Sequence, residues 1–180
     1  MQGRLSFPID NKIQYFPKNR WQDEFKEAAS CNFACIEWIF DTYEKNPIMD
    51  DFKITEMKSL SNKFGVKINS ICADYFMEKK IFNESKYEIE KNLDVLRKLI
   101  KNCRKTDIYI LEIPLIDSSS ISTTEHANDL VENLSKILPF AKDMMLLSHL
   151  KPICHLIALE IFWRILNHLL FLQIMIPETV

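Results

Sequence analysis

Polar and aromatic side chains stand at the ends of four apolar segments of this sequence. In folds built on parallel strands, ligands bind at the carboxyl ends of the strands, so these positions are the first candidates for a functional site. They are Arg4 and Ser6, then Glu37, Trp38 and Asp41, then Cys72, Asp74 and Tyr75, and finally Glu112, Pro114 and Asp117. We predict substrate contacts for six of them: Arg4, Glu37, Trp38, Asp74, Tyr75 and Glu112. The pattern assigns no catalytic residue and no metal ligand.

The side-chain types indicate what such a site could bind. The planar guanidinium of Arg4 suits an anionic or polyhydroxyl ligand, and the rings of Trp38 and Tyr75 suit stacking that excludes water. Each residue also has a purely structural interpretation, which the sequence leaves open. Glu37 could be a satisfied polar group inside the fold, Trp38 a core aromatic residue, and Asp41 the cap of a turn.

Strands and helices alternate along the first 143 residues. Short runs of apolar, β-branched and aromatic residues predict strands, and apolar residues at three- and four-residue steps predict helices. The predicted strands are 2–7, 33–40, 66–76 and 107–116, and the predicted helices are 19–30, 50–65, 84–103 and 122–140.

Local signals set the predicted helix ends. Asn19 is placed to cap the first helix, Gly65 to end the second, and Ser122 with Glu125 to form a capping box on the fourth. The apolar positions of the second helix are Phe52, Ile54, Met57, Leu60 and Phe64.

Alternating strands and helices predict a parallel sheet, either a doubly wound sheet or a (β/α)8 barrel. A dinucleotide-binding sheet needs a glycine-rich loop after its first strand, whereas the chain has two glycines, Gly3 and Gly65. The barrel is therefore preferred. A complete barrel needs about 250 residues, so the prediction is a partial (β/α)8 barrel of four βα units in residues 1–143, followed by an aberrant apolar segment, 144–180.

Composition narrows the function classes. The net charge of −2 and the pI of about 6.1 argue against nucleic-acid binding, which usually comes with a basic face. Five cysteines form no C-x-x-C pair and follow no signal peptide, which predicts a cytoplasmic protein with buried thiols.

Four segments carry a resemblance to a known family. They read MQGRLS, WQDEFKEAASCNFACIEWIFD, NPIMDDFKITEMKSLSNKFGVKINSICADYFMEK and LEIPLIDSSSI. Together they resemble the first half of the xylose isomerase-like TIM barrels, the sugar phosphate isomerase/epimerase group that also includes apurinic endonucleases. Members commonly have a glycine-rich turn before the second strand. Here Cys31, Asn32 and Ala34 occupy it, and Asn32 best tolerates the left-handed conformation needed there.

The resemblance implies isomerisation or epimerisation next to the carbonyl of a sugar or sugar phosphate. A divalent metal (Mn, Mg, Co or Zn) assists in intact relatives, and its ligands come from strand five onward, so this chain is expected to be a truncated, inactive fragment that binds none. The alternative within the fold is an apurinic endonuclease, and the alternative outside enzymology is a non-catalytic protein that binds a membrane or a partner through its apolar end.

Residues 144–180 differ in character from the rest of the chain, and a shifted reading frame accounts for this. In that frame the Met144–Met145 and Met175–Ile176 junctions each force an Asp codon, and the neighbouring codons permit the peptides YDVTLALETDLPPD and NYDTGNS. Both peptides resemble the fifth- and sixth-strand motifs of the same family. One lost base near Asp143 would explain both, so we expect an out-of-frame segment.

A membrane span is the other interpretation of the apolar segment. A span needs about 20 apolar residues, whereas Glu160, Arg164, Asn167 and His168 interrupt this one. A membrane-bound protein is therefore not favoured.

Overall fold

The computed structural model describes residue 5 and residues 15–143. In this part of the chain the strands form one parallel sheet in the order β1, β2, β3. Its strands are β1, Cys35–Ile39, β2, Lys67–Cys72, and β3, Ile110–Glu112. They correspond to the second, third and fourth predicted strands, while the first predicted strand, apart from residue 5, and the segment 144–180 lie outside the described residues.

Six α-helices accompany the sheet in the described part. They are α1, Asp23–Ser30, α2, Asp51–Phe64, α3, Tyr75–Glu78, α4, Lys86–Lys105, α5, Thr124–Ser135, and α6, Leu138–Asp143. Each strand is followed by at least one helix, and neighbours in the chain are neighbours in the sheet. The strands of a barrel follow one another in a single direction, so the strand order of this α/β fold is consistent with a partial barrel.

The pairing of β1 with β2 contains an irregularity that determines which side chains lie opposite one another. Ile36 pairs with Ile68, but the next residue, Glu37, pairs with Ser70, so Asn69 is the extra residue of a bulge. A bulge changes which side chains share a face of the sheet. Here it brings Ser70 opposite Glu37.

One apolar cluster joins the sheet to its helices. Ile71 of β2 belongs to the same buried cluster as Phe25 of α1, Met57 of α2 and Leu93 of α4. Burial of such side chains contributes about 1.5–3 kcal/mol each, so this cluster is the main source of stability in the described part.

Helix ends confirm some local predictions. Gly65 adopts the left-handed conformation, with φ 66°, at the end of α2, and Asn32 does the same, with φ 58°, in the turn before β1. Both conformations are costly for most other residues because Cβ approaches the backbone.

Other local predictions are wrong. Asn19 does not cap α1, because residues 18–22 form turns and the helix begins at Asp23. The cap of α5 is Thr123, whose hydroxyl accepts from the His126 N–H, and not Ser122. The third predicted strand ends at Cys72, since Tyr75 already belongs to α3.

Two burial predictions are also wrong. Phe52 is 90% exposed, because it lies two residues before the buried Ile54 and therefore on the opposite side of α2. Cys72 and Cys103 are buried as expected, but Cys31, in the turn before β1, and Cys35, the first residue of β1, are exposed. No helix in the described part combines the length and the apolar composition that a membrane span needs.

Candidate functional site

The carboxyl ends of the three strands bring acidic side chains to one edge of the sheet. Glu37 is paired with Ser70 across β1 and β2, and Cys72 is paired with Glu112 across β2 and β3. Because successive side chains alternate between faces, Ser70 and Cys72 point to the same face, and their partners do so with them. Asp74 follows two residues after Cys72.

A short hydrogen bond orients Glu37. The Ser70 hydroxyl donates to its Oε1 at 2.7 Å. Bonds of this length to a charged acceptor are among the stronger ones in proteins. Glu37 is half-buried in the middle of β1, two residues before the carboxyl end of the strand, and the bond holds its side chain in one direction.

Cys72 links two other carboxylates. Its Sγ lies 3.1 Å from Asp74 Oδ1 and 3.9 Å from Glu112 Oε1. Burial raises the pKa of the Cys72 thiol far above its usual range, and the charges of Asp74, Glu112 and Glu37 raise it further. The sulfur is therefore protonated and acts as a hydrogen-bond donor, not as a nucleophile.

The surroundings of Asp74 in the candidate site shift the pKa of its carboxyl group. Burial raises its pKa, and the nearby charges of Asp41 and Glu37 act in the same direction, while the hydrogen bond from Cys72 opposes them. Carboxyl groups with raised pKa values are common where proton transfer takes place.

Tyr75 lies beside these carboxylates as a half-buried ring. It packs on Phe40 with ring centroids 5.2 Å apart, and its N–H donates to the Phe40 carbonyl oxygen at 2.8 Å. Burial raises the pKa of its hydroxyl, with smaller contributions from Glu44 and Tyr43. The ring thus stays a neutral, partly accessible surface.

Trp38 is buried in the hydrophobic core, unlike the other described candidates for substrate contact. It is 2% exposed, packs against Phe16 at 5.1 Å and Trp21 at 5.8 Å, and donates from Nε1 to Asn46 Oδ1 at 2.9 Å. This is the core environment that the sequence left open as its alternative. Arg4 lies outside the described residues.

Ser70, which the sequence interpretation did not select, is part of the site. It is one of several serines in the chain, and nothing in the sequence marks the bulge that places it opposite Glu37. The charge of Asp41 acts on Asp74, and its Oδ2 accepts from the Phe16 N–H at 3.1 Å. A carboxylate directly after a strand was the signal that identified Asp41 as a candidate.

The described residues do not fit a divalent metal on their own. Within residues 15–143 no group of three His, Cys, Asp or Glu side chains is arranged to hold an ion. The sulfur of Cys72 is protonated, and a thiol must lose its proton to ligate a metal.

Comparison with known proteins supports the fold. No family model matches the chain and no curated protein matches it. A solved structure does: the crystal structure of D-psicose 3-epimerase with D-tagatose from Clostridium cellulolyticum H10 is similar at a TM-score of 0.56 and 18% identity. The match covers 69% of this chain and 44% of that one, so the chain spans less than half the length of the epimerase. At this identity the likeness shows the fold alone.

Proposed function

We propose that residues 1–143 form the substrate-binding half of a sugar isomerase or epimerase, which moves a proton next to a sugar carbonyl. The observation that carries the proposal is the group of carboxylates from Glu37, Asp74 and Glu112 at the carboxyl edge of the sheet, the edge at which barrel enzymes bind their substrates. The likeness in fold to a sugar epimerase supports the same class of chemistry.

The side chains have distinct roles in this proposal. Glu37, oriented by Ser70, accepts hydrogen bonds from sugar hydroxyls. Asp74 has the raised pKa that suits a group exchanging a proton with substrate. Tyr75 covers one face of the sugar and excludes water, and Arg4 binds a hydroxyl-rich or anionic end.

A divalent metal, when bound, would supply polarisation of the carbonyl and hydroxyl oxygens. Because the described residues do not fit such an ion, we place its ligands in the sequence that a restored frame would encode beyond Asp143. We expect the 180-residue chain to lack turnover for that reason. The substrate is a small sugar or sugar phosphate, and the protein is cytoplasmic and does not bind nucleic acid.

The nucleotide sequence tests the shifted frame. We expect a missing base near the Asp143 codon and an open frame that continues for about 100 further residues, as the length of a barrel requires. Stop codons or unrelated peptides in the alternative frame would refute this part of the proposal.

Activity tests the reaction. The 180-residue chain and the frame-restored product are assayed with Mn²⁺, Mg²⁺, Co²⁺ or Zn²⁺ against ketohexoses, ketopentoses and their phosphates, with abasic DNA as the competing substrate. We expect turnover of a sugar by the restored product alone. Turnover by the 180-residue chain would overturn its inactivity, and cleavage of abasic DNA would move the function to the endonuclease branch.

Variants of the restored product test the role of the site. Loss of a proton-transfer group typically lowers a rate by about 10² to 10⁴, so Asp74→Asn is expected to lower kcat by that order. Asp23→Asn, on the exposed face of α1, is the matched control and is expected to leave kcat unchanged. Equal kcat values for the two variants would remove Asp74 from the mechanism.

A further inference from the structure

A second cavity lies apart from the carboxylate site. It is a groove of about 700 Å³ between the segment 43–53 and the carboxyl-terminal half of α4, and none of Glu37, Asp74 and Glu112 lines it. Small-molecule sites typically measure about 300–1,000 Å³. The groove thus has room for a ligand of its own.

The groove is basic although the chain is acidic overall. Five basic and three acidic side chains line it, whereas the whole chain has a net charge of −2. Lys98, Lys101 and Lys105 follow one another at three- and four-residue steps, which places them on one face of α4. The hydrogen bond from Lys105 and the charges of all three lysines hold the pKa of the Asp51 carboxyl below its usual value. The carboxyl group of Asp51 therefore lies within the electrostatic influence of all three ammonium groups.

The three lysines are not equally engaged. Lys105 pairs with Asp51 at 2.5 Å, and Lys98 donates to the Tyr43 hydroxyl at 2.9 Å. Lys101 forms neither a hydrogen bond nor an ion pair with any residue that the structure describes, and it is exposed. Like charges at this spacing destabilise a helix, and a bound anion would remove that repulsion.

Aromatic rings flank the lysines. Tyr43 holds the ammonium group of Lys98 5.1 Å from its ring centroid, and Phe52 also lines the groove while remaining 90% exposed. A ring so exposed adds little to folding but offers a face for stacking. Cations beside open rings are a combination suited to an anion that carries a flat group.

We propose that this groove binds a small molecule that carries a diphosphate group. Two adjacent phosphates offer several negatively charged oxygens to the three lysines that line the groove, and lysine binds phosphate as a point charge. The group could come from inorganic diphosphate or from a nucleoside diphosphate, whose base would stack on Phe52. The proposal is independent of the sugar chemistry, because the two sites share no residue.

Calorimetric titration of the 180-residue chain with inorganic diphosphate at about 50 mM salt, without divalent metal, tests the proposal. We expect saturable binding of one ligand per chain that weakens as salt rises, because the contacts are exposed and screened. An exposed ion pair contributes about 0.2–1 kcal/mol, so Lys101→Gln is expected to weaken binding by about 1.4- to 5-fold. Charge reversal in Lys101→Glu is expected to weaken it further.

Two controls separate a site from general charge attraction. Lys91→Glu makes the same charge change on α4 but outside the groove, and it is expected to leave binding unchanged. Titration with ADP distinguishes the two sources of the diphosphate group. If the ligand is a nucleoside diphosphate, ADP is expected to bind more tightly than inorganic diphosphate, and Phe52→Ser is expected to abolish that difference. If the ligand is inorganic diphosphate, the two are expected to bind equally. Absence of saturable binding at low salt, or equal effects of Lys91→Glu and Lys101→Glu in folded variants, would overturn the proposal.

Discussion

Asn46 offers a quantitative test of the structure that supports β1. Its side chain is 2% exposed, accepts from Trp38 Nε1 at 2.9 Å and donates to the Ile39 carbonyl oxygen at 2.7 Å. It also accepts from the Ile48 N–H at 3.4 Å, which is a weak bond at best. Asn46→Ala would remove both strong bonds without changing the strand sequence.

The expected loss of stability follows from the two groups left behind. The Trp38 N–H and the Ile39 carbonyl would remain buried without partners, and each such group costs about 1–3 kcal/mol. Asn46→Ala is therefore expected to lower the free energy of unfolding by about 2–6 kcal/mol. Asn46→Asp keeps the acceptor for Trp38 but loses the donor to Ile39, and it places a charge in the interior, so it is also expected to destabilise.

Urea unfolding followed by tryptophan fluorescence measures this effect, since Trp38 lies at the altered bond. Asn62→Ala on the exposed face of α2 is the matched control, with an expected change within about 0.5 kcal/mol. A loss for Asn46→Ala no larger than that of the control would show that the bonds to Trp38 and Ile39 do not form, and would refute the described position of the 43–49 segment.

Of two further predictions, one concerns Asp74 of the candidate site and the other concerns the described cysteines. The folded-state pKa of Asp74 lies above its unfolded value, so the stability from its protonated form is present below about pH 3.9 and is lost as the pH rises through the folded pKa. Asp74→Asn is therefore expected to be more stable than the unaltered chain at pH 7, with an advantage that shrinks towards pH 4; urea midpoints that differ equally at both pH values would contradict this. Among the described cysteines, iodoacetamide at pH 8 is expected to modify Cys31 and Cys35, which are exposed, and to spare Cys72 and Cys103, whose pKa values are raised by burial. Peptide mass spectrometry of the labelled folded chain measures which cysteines have reacted. Rapid labelling of Cys72 would contradict its buried position.

Sequence reasoning predicted the elements that local chemistry determines. The strands β1, β2 and β3 have apolar residues in short runs, and α2 ends at a glycine, so each of these features follows from a few neighbouring residues. The conformation of Asn32 was predictable for the same reason, because few residue types other than glycine adopt positive φ. The strand order and the fold likeness then agree with a partial barrel.

Features that depend on distant residues could not be predicted in this way. The exposure of Phe52 depends on where α2 meets the core, and the burial of Trp38 depends on contacts with Phe16 and Trp21. The pairing of Ser70 with Glu37 depends on the bulge at Asn69, which has no distinctive sequence. The carboxyl groups of the candidate site and Cys72 were recognisable from the sequence as residues near strand ends, whereas the Ser70 hydroxyl that orients Glu37 was not.

The left-handed residues of the described loops have a consequence for how this chain tolerates change. Besides Gly65, four described residues have positive φ, and all are asparagine or aspartate: Asn32, Asn83, Asp107 and Asp117. In this chain of two glycines, asparagine and aspartate thus occupy these left-handed turn positions. Because they restrict the unfolded ensemble more than glycine does, less conformational entropy is lost on folding. The same positions can carry side-chain hydrogen bonds, which glycine cannot. Natural or laboratory variation at these four sites should therefore be confined to asparagine, aspartate and glycine, while β-branched residues are excluded.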